Sequence, residues 1–185
     1  MSKLILASSS PRRLELLTSA GLPPDLVVSP DVDEAVIKAE PPLVYVKRIA
    51  LAKAKVVSEK YPHDTIVACD TIVSLGRRIL GKPEDTEHAK AMLTMLSGRR
   101  HRVYSTVVVV KAERVRSKTV STQVQFKRLS TKEIDLHTNS MVWEGKSGGY
   151  ALQGFSGRFI KKVNGSVSNV IGLPLMETVN LLSTL

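Results

Sequence analysis

The sequence predicts an α/β protein built on a mixed sheet. Runs rich in apolar and β-branched residues recur at 4–7, 26–28, 65–73, 101–112 and 118–129. Segments with helical spacing lie among them, but the two kinds do not alternate strictly, which argues against a purely doubly wound sheet. Hydrophobic residues make up 43% of the 185, enough for a sizeable core in a single domain spanning 1–185.

The elements follow in order. Residues 3–7 read as a short buried strand. Ser10 suits an N-cap, Pro11 the first helical position, and Leu14, Leu16 and Leu17 supply an apolar face. Gly21 ends that helix, and Pro23 and Pro24 block its continuation. Residues 26–28 form a second strand, and the acidic, proline-bounded SPDVDEAVIKAEPP reads as a loop. Residues 42–60 carry the strongest helical pattern, with Val44, Ile49, Leu51 and Val56 on an apolar side. The run 65–73, TIVACDTIV, is a central strand, and RRILGKPEDT is a loop. Thr86 caps a helix that Gly98 ends. Two long strands turn around Glu113 and Arg114. Ser130 and Glu133 form a capping box for a short helix over 131–139. Residues 143–157 are glycine-rich, 157–163 form a strand, and 175–182 form a final helix.

Composition bounds the function. The net charge of +10 and pI near 9.9 predict attraction to polyanions. Aromatic residues are only 4% of the chain, a poor supply for stacking single-stranded nucleic acid. The single cysteine, Cys69, excludes an intramolecular disulfide and a multi-cysteine zinc site. No apolar run has the length of a membrane span, and residues 1–7 are too short for a signal peptide. A cytoplasmic protein is expected, with neither a membrane nor a stable nucleic-acid partner.

Five features carry chemistry. In SSSPRR, a helix start with unpaired N–H groups and a partial positive charge meets Ser8, Ser10, Arg12 and Arg13. Cations in a first turn oppose the helix dipole, and a bound phosphate would remove that conflict. The alternative is an ordinary capped helix with two exposed arginines. Asp70 interrupts an apolar strand, which calls for a partner, a metal or a functional reason, unless it faces water at an edge. Lys82 sits between Gly81 and Pro83 in a stiff loop suited to a point contact with phosphate, although the P-loop spacing is absent. Asp31, Asp33 and Glu34 form either a solvated loop or the source of one metal-binding carboxylate. In GGYALQG the glycines allow close backbone approach to a ligand, and Gln153 can read a base edge.

In this order the features resemble the Maf family of nucleoside triphosphate pyrophosphatases, related in fold to the inosine triphosphatases. LILASSSPRRLELL, DVDE, ALAKAK, ACDTIV, LGKPEDTEHAKAML, LSGRRHRVYS, KSGGYALQG and VIGLPL carry the likeness across essentially the whole chain. The resemblance implies a long twisted mixed sheet flanked by helices, with a central cleft between two lobes. It implies hydrolysis of a nucleoside triphosphate to the monophosphate and pyrophosphate with a divalent cation: Mg²⁺, or Mn²⁺ or Co²⁺ in its place. Ser8, Ser10, Arg12 and Arg13 match the family's phosphate-binding opening. Glu34 and Asp70 match its acidic pair, which would hold the metal, with Asp70 the proton acceptor. Lys53 and Lys82 match its cleft lysines. Arg12, Thr71 and Gln153 match positions linked to substrate choice and resemble the dTTP/UTP branch. Residues 145–150, GKSGGY, depart from that branch by lacking an acidic residue and by a more flexible, glycine-rich loop. The family also implies a homodimer, and its association with septum formation offers a second reading as a nucleotide-sensing regulator.

Overall fold

The computed structural model describes residues 2–184. Its centre is a seven-stranded mixed sheet in the order β2-β1-β3-β5-β6-β7, with β4 paired to β3. The strands are β1 (Leu4–Ala7), β2 (Leu26–Val28), β3 (Thr65–Leu75), β4 (Arg78–Leu80), β5 (Arg100–Lys111), β6 (Arg114–Phe126) and β7 (Ile160–Asn164). β1 runs parallel to β2 and β3, and the remaining pairings are antiparallel. Among the described residues, six α-helices flank it: α1 (Pro11–Ser19), α2 (Pro42–Lys60), α3 (Thr86–Leu96), α4 (Thr131–Asn139), α5 (Val167–Ile171) and α6 (Leu175–Ser183). Among the described residues, no helix is long and apolar enough to cross a membrane.

The alternation of β3 positions the chemistry. Successive side chains of a strand point to opposite faces. Ile66 and Ala68 pack with Ala50, Ala54 and Val57 of α2. Val67 and Cys69 pack on the other face with Leu17 of α1 and Leu181 of α6. A third cluster joins Met92, Leu93 and Leu96 of α3 to Ile134 of α4, with Val103, Val124 and Phe126 from the sheet.

Several elements differ from expectation. The buried side of α2 is Tyr45, Val46, Ile49, Ala50, Lys53, Ala54 and Val57, while Val44 is exposed. Packing on two neighbouring strands selects that stripe. The segment after β3 is not all loop, because Arg78–Leu80 fold back as β4 around Gly76, whose φ is +61°. Asp85, not Thr86, caps α3 by accepting the His88 N–H at 2.7 Å. Ser10 stands at the N-cap of α1, but its side chain makes no capping bond. Residues 154–159 form a 3₁₀ turn, so the strand expected from 157 begins at Ile160. The five-residue α5, capped by Ser166, was not expected. The capping box of Ser130 and Glu133 is present as read.

Candidate active site

Lys53 interrupts the apolar stripe of α2, and that position aims it at β3. Its Nζ lies 2.7 Å from Asp70 Oδ1 and 2.7 Å from Glu34 Oε1. Asp70 is only 6% exposed and lies in the middle of the sheet, which removes the reading of a water-facing edge position. A buried carboxylate without such a partner is costly.

Glu34 arrives on a loop without regular structure, and α2 holds that loop. The Tyr45 hydroxyl donates to the Glu34 carbonyl at 2.9 Å. Arg48 donates to the Ala35 carbonyl at 2.9 Å and grips the Glu40 carboxylate through Nε and Nη2, each at 2.8 Å. Burial opposes ionisation of the Glu34 carboxyl. Its hydrogen bond and attraction to Lys53, with Lys82 and Arg13 adding charge, nevertheless hold it below the usual carboxylate range. Burial and the nearby charges of Asp70 and Glu34 push the Tyr45 phenol up to about 12.

The β1–α1 turn forms the opposite wall. The Ser8 hydroxyl accepts from the Ser10 N–H and from Arg13 Nη1, each at 3.1 Å, leaving its own proton to donate. Arg12 is half-buried, and burial together with the charge of Arg13 lowers its pKa, only partly offset by Glu15. Lys146 is lowered too, by burial and then by Arg12. Cations pressed together in this way favour an anionic ligand between them.

The glycine-rich segment closes the cleft. The Gly148 N–H donates to the Gly81 carbonyl at 2.9 Å, which ties it to the loop of Lys82. Gly148 has φ +71°, and a Cβ there would stand 3.0 Å from Val73. A Cβ on Gly149 would stand 3.3 Å from Pro83. The close backbone approach expected at these glycines is therefore made to the protein's own side chains. In place of a more flexible loop stands a packed one, and the Ser147 hydroxyl pins it to the Thr71 carbonyl at 3.1 Å.

Every residue that the family resemblance names lines one cleft of about 720 Å³, within the range of small-ligand sites, whereas Asp31 and Asp33 are not part of its lining. Ser8, Ser10, Arg12 and Arg13 stand at its phosphate-type wall, and Glu34, Lys53 and Asp70 at its acidic wall. Lys82 and Gln153 are exposed on its rim, and Thr71 is turned inward against Arg13 and Gly172. Cys69 is fully buried, and burial raises its thiol to about 11, which suits a packing residue. Sequence reasoning missed Tyr45, Arg48, Lys146 and Ser105. Only Tyr45 carried a signal, through its helical spacing with Ile49 and Lys53.

Fold and cleft together define an α/β protein able to hold an extended anion between clustered cations and a carboxylate pair. The chain belongs to the Maf-like protein family, whose model matches residues 3–185. A dTTP/UTP pyrophosphatase of Rhodopseudomonas palustris is 48% identical over 97% of this chain and 90% of its own length. One of Agrobacterium fabrum is 46% identical over 98% and 91%. One of Paramagnetospirillum magneticum is 45% identical over 98% and 96%. Among solved structures, the Ham1 protein of Staphylococcus aureus aligns with a TM-score of 0.47 at 14% identity, covering 66% of this chain and 71% of that one.

Proposed function

We propose that this chain hydrolyses dTTP and UTP between the α- and β-phosphates, releasing the nucleoside monophosphate and pyrophosphate. The observation that carries the reading is Lys53 bridging Glu34 and Asp70 at 2.7 Å, in the same cleft as the cations of the β1–α1 turn. Family membership and the named activity of the relatives set the substrate.

The triphosphate lies against Arg12, Lys82 and the proton of Ser8, which neutralise its oxygens. Charge grows on the departing pyrophosphate, and fixed cations are most effective where charge develops. Asp70 orients a water at the α-phosphorus and takes its proton through the carboxylate oxygen not held by Lys53. The water oxygen bonds to phosphorus as the bridging P–O bond breaks. Lys53 holds Asp70 and Glu34 at fixed separation, 2.7 Å from each.

The donor set also fits a divalent cation. Among the described residues no group of three or more His, Cys, Asp or Glu converges. Glu34 would hold the ion, with substrate phosphates and water completing the shell as Mg²⁺ prefers, and Asp70, whose free oxygen takes the proton, would lie beside it. When bound, the ion supplies charge neutralisation on the phosphates and a lowered water pKa. A cytoplasmic setting, where nucleoside triphosphates are abundant, accords with this activity.

The test is direct. Purified protein given dTTP or UTP with Mg²⁺, Mn²⁺ or Co²⁺ should release pyrophosphate and not orthophosphate. Tight nucleotide binding without turnover under every metal would replace the enzyme with a nucleotide sensor.

A further inference from the structure

Residues 144–147 and 150–153 line the cleft, so the glycine-rich segment is one of its walls. Its backbone is costly to hold. Gly145, Gly148 and Gly149 all stand at positive φ, and glycine loses more freedom on ordering than any other residue.

Two buried histidines from other elements hold this wall from behind. His137 of α4 is fully buried, and its Nε2 lies 2.8 Å from the Gly149 carbonyl. A carbonyl only accepts, so Nε2 carries the proton. His101 of β5 is 2% exposed, and its Nε2 lies 2.7 Å from Tyr150 Oη. Among the described residues neither Nδ1 has a hydrogen-bond partner. Each imidazole thus leaves one buried polar atom unpaired, which is costly, and makes its side-chain hydrogen bond to the wall. Burial lowers both pKa values, that of His101 to about 4, so both rings are neutral near neutral pH.

Aromatic packing fixes the two rings. His101 meets Phe126 edge-on with centroids 5.0 Å apart, Phe126 meets Phe159 at 6.1 Å, and Phe159 meets His137 at 5.4 Å. Phe155, 5.7 Å from His137, brings all three phenylalanines of the chain into this cluster. The mount is rigid, whereas the wall mounted on it has little rigidity of its own.

We infer that His101 and His137 are positioning residues that hold the glycine-rich wall in its substrate-competent shape before a nucleotide arrives. This inference rests on the proposed nucleotide hydrolysis for its substrate. Neither histidine belongs to the cleft lining, so both act through the wall. Without the His137 proton the Gly149 carbonyl would be buried and unpaired, and turning it to water means opening the wall. A binding-competent state that is only partly populated raises the apparent dissociation constant by the inverse of its population and leaves the saturated rate alone.

The experiment compares His101→Leu, His137→Leu, His101→Gln and His137→Gln with the wild-type chain. Leucine removes the hydrogen bond, and glutamine keeps a polar group for the same partner. Steady-state kinetics with dTTP and Mg²⁺ give kcat and KM, a thermal scan gives Tm, and amide hydrogen exchange without nucleotide reads residues 144–153. Each leucine variant should raise KM about tenfold with kcat within about twofold of wild type, the signature of a wall formed roughly one-tenth of the time. Exchange should quicken at 144–153 and not in β3. The glutamine variants should return KM to within about threefold of wild type. A lower Tm with unchanged KM and unchanged local exchange overturns the inference. So does a fall in kcat at constant KM, or glutamine that performs no better than leucine. If a leucine variant does not fold, Tyr150→Phe decides, because it removes only the hydroxyl: a raised KM upholds the inference and an unchanged KM overturns it. A wild-type protein that turns over no nucleotide refutes the proposed function, while exchange in the nucleotide-free variants still judges the two histidines.

Discussion

Replacing Asp70 by Asn tests the reaction and the architecture separately. The exchange keeps the side-chain volume and leaves an amide oxygen to accept from Lys53, now at 2.7 Å from Oδ1. It removes the charge and the basic oxygen. Hydrogen bonds to charged partners contribute about 1.5–3 kcal/mol and neutral ones about 0.5–1.5, so the local loss is on the order of 1 kcal/mol. Lys53 retains Glu34 at 2.7 Å, so no buried charge is stranded. A loss near 1 kcal/mol lowers Tm by roughly 2–4 °C in a chain of this size. Removing a general base costs about 10²–10⁴-fold in rate. Pyrophosphate release under saturating dTTP, beside a calorimetric scan of the same sample, reads both quantities. The expected outcome is a collapse of kcat with a nearly unchanged Tm. A variant with full kcat would refute the role of Asp70 as proton acceptor. A fall in Tm of more than about 10 °C would show that the ion pair chiefly holds the fold together.

Other expectations follow from the same contacts. Arg48→Ala releases Ala35 and Glu40, so the Glu34 loop should wander; kcat/KM for dTTP should fall about tenfold while stability changes by roughly 1 kcal/mol or less, read by steady-state kinetics and urea titration. Gly148→Ala places a methyl 3.0 Å from Val73 at φ +71°, at a cost of about 2–4 kcal/mol, and Gly148→Ala with Val73→Ala should recover part of the lost Tm. Burial lowers the His101 imidazole from 6.5 to about 4. The unfolded chain therefore binds a proton that the folded chain refuses. The stability His101 contributes is complete above pH 6.5, falls as pH drops towards about 4 and is flat below, a change on the order of 3 kcal/mol. Urea midpoints across that window should slope less in His101→Gln; equal slopes would remove the histidine as the cause.

Asp70 was legible in the sequence because it breaks a pattern, a carboxylate inside a β-branched run. Lys53 was named only through the family resemblance, since the spacing of α2 placed its lysines on the other faces. The strand and helix that carry them were legible because apolar periodicity is a local property, and α2 spans Pro42–Lys60 as its spacing implied. The short elements were not. β4 has three residues and α5 five, too few for a periodic signal, and tertiary contacts stabilise them. The Glu34 loop lacks periodicity altogether, and its shape comes from Tyr45 and Arg48 across a helix.

Thr71 marks the limit more sharply. It is one residue from Asp70, yet the pleat of β3 sends the two to opposite sides, and the partners of Thr71 lie 34, 58 and 101 residues away. Thr71 itself is not out of pattern, since threonine is an ordinary strand residue. Its hydroxyl meets Arg13, Ser105 and Gly172, residues brought together only by the fold. A serine at this position keeps the hydroxyl and should preserve the bond from Arg13, whereas valine keeps the shape and should lose it. The chemistry of the position thus depends on the proton and lone pairs of a single oxygen.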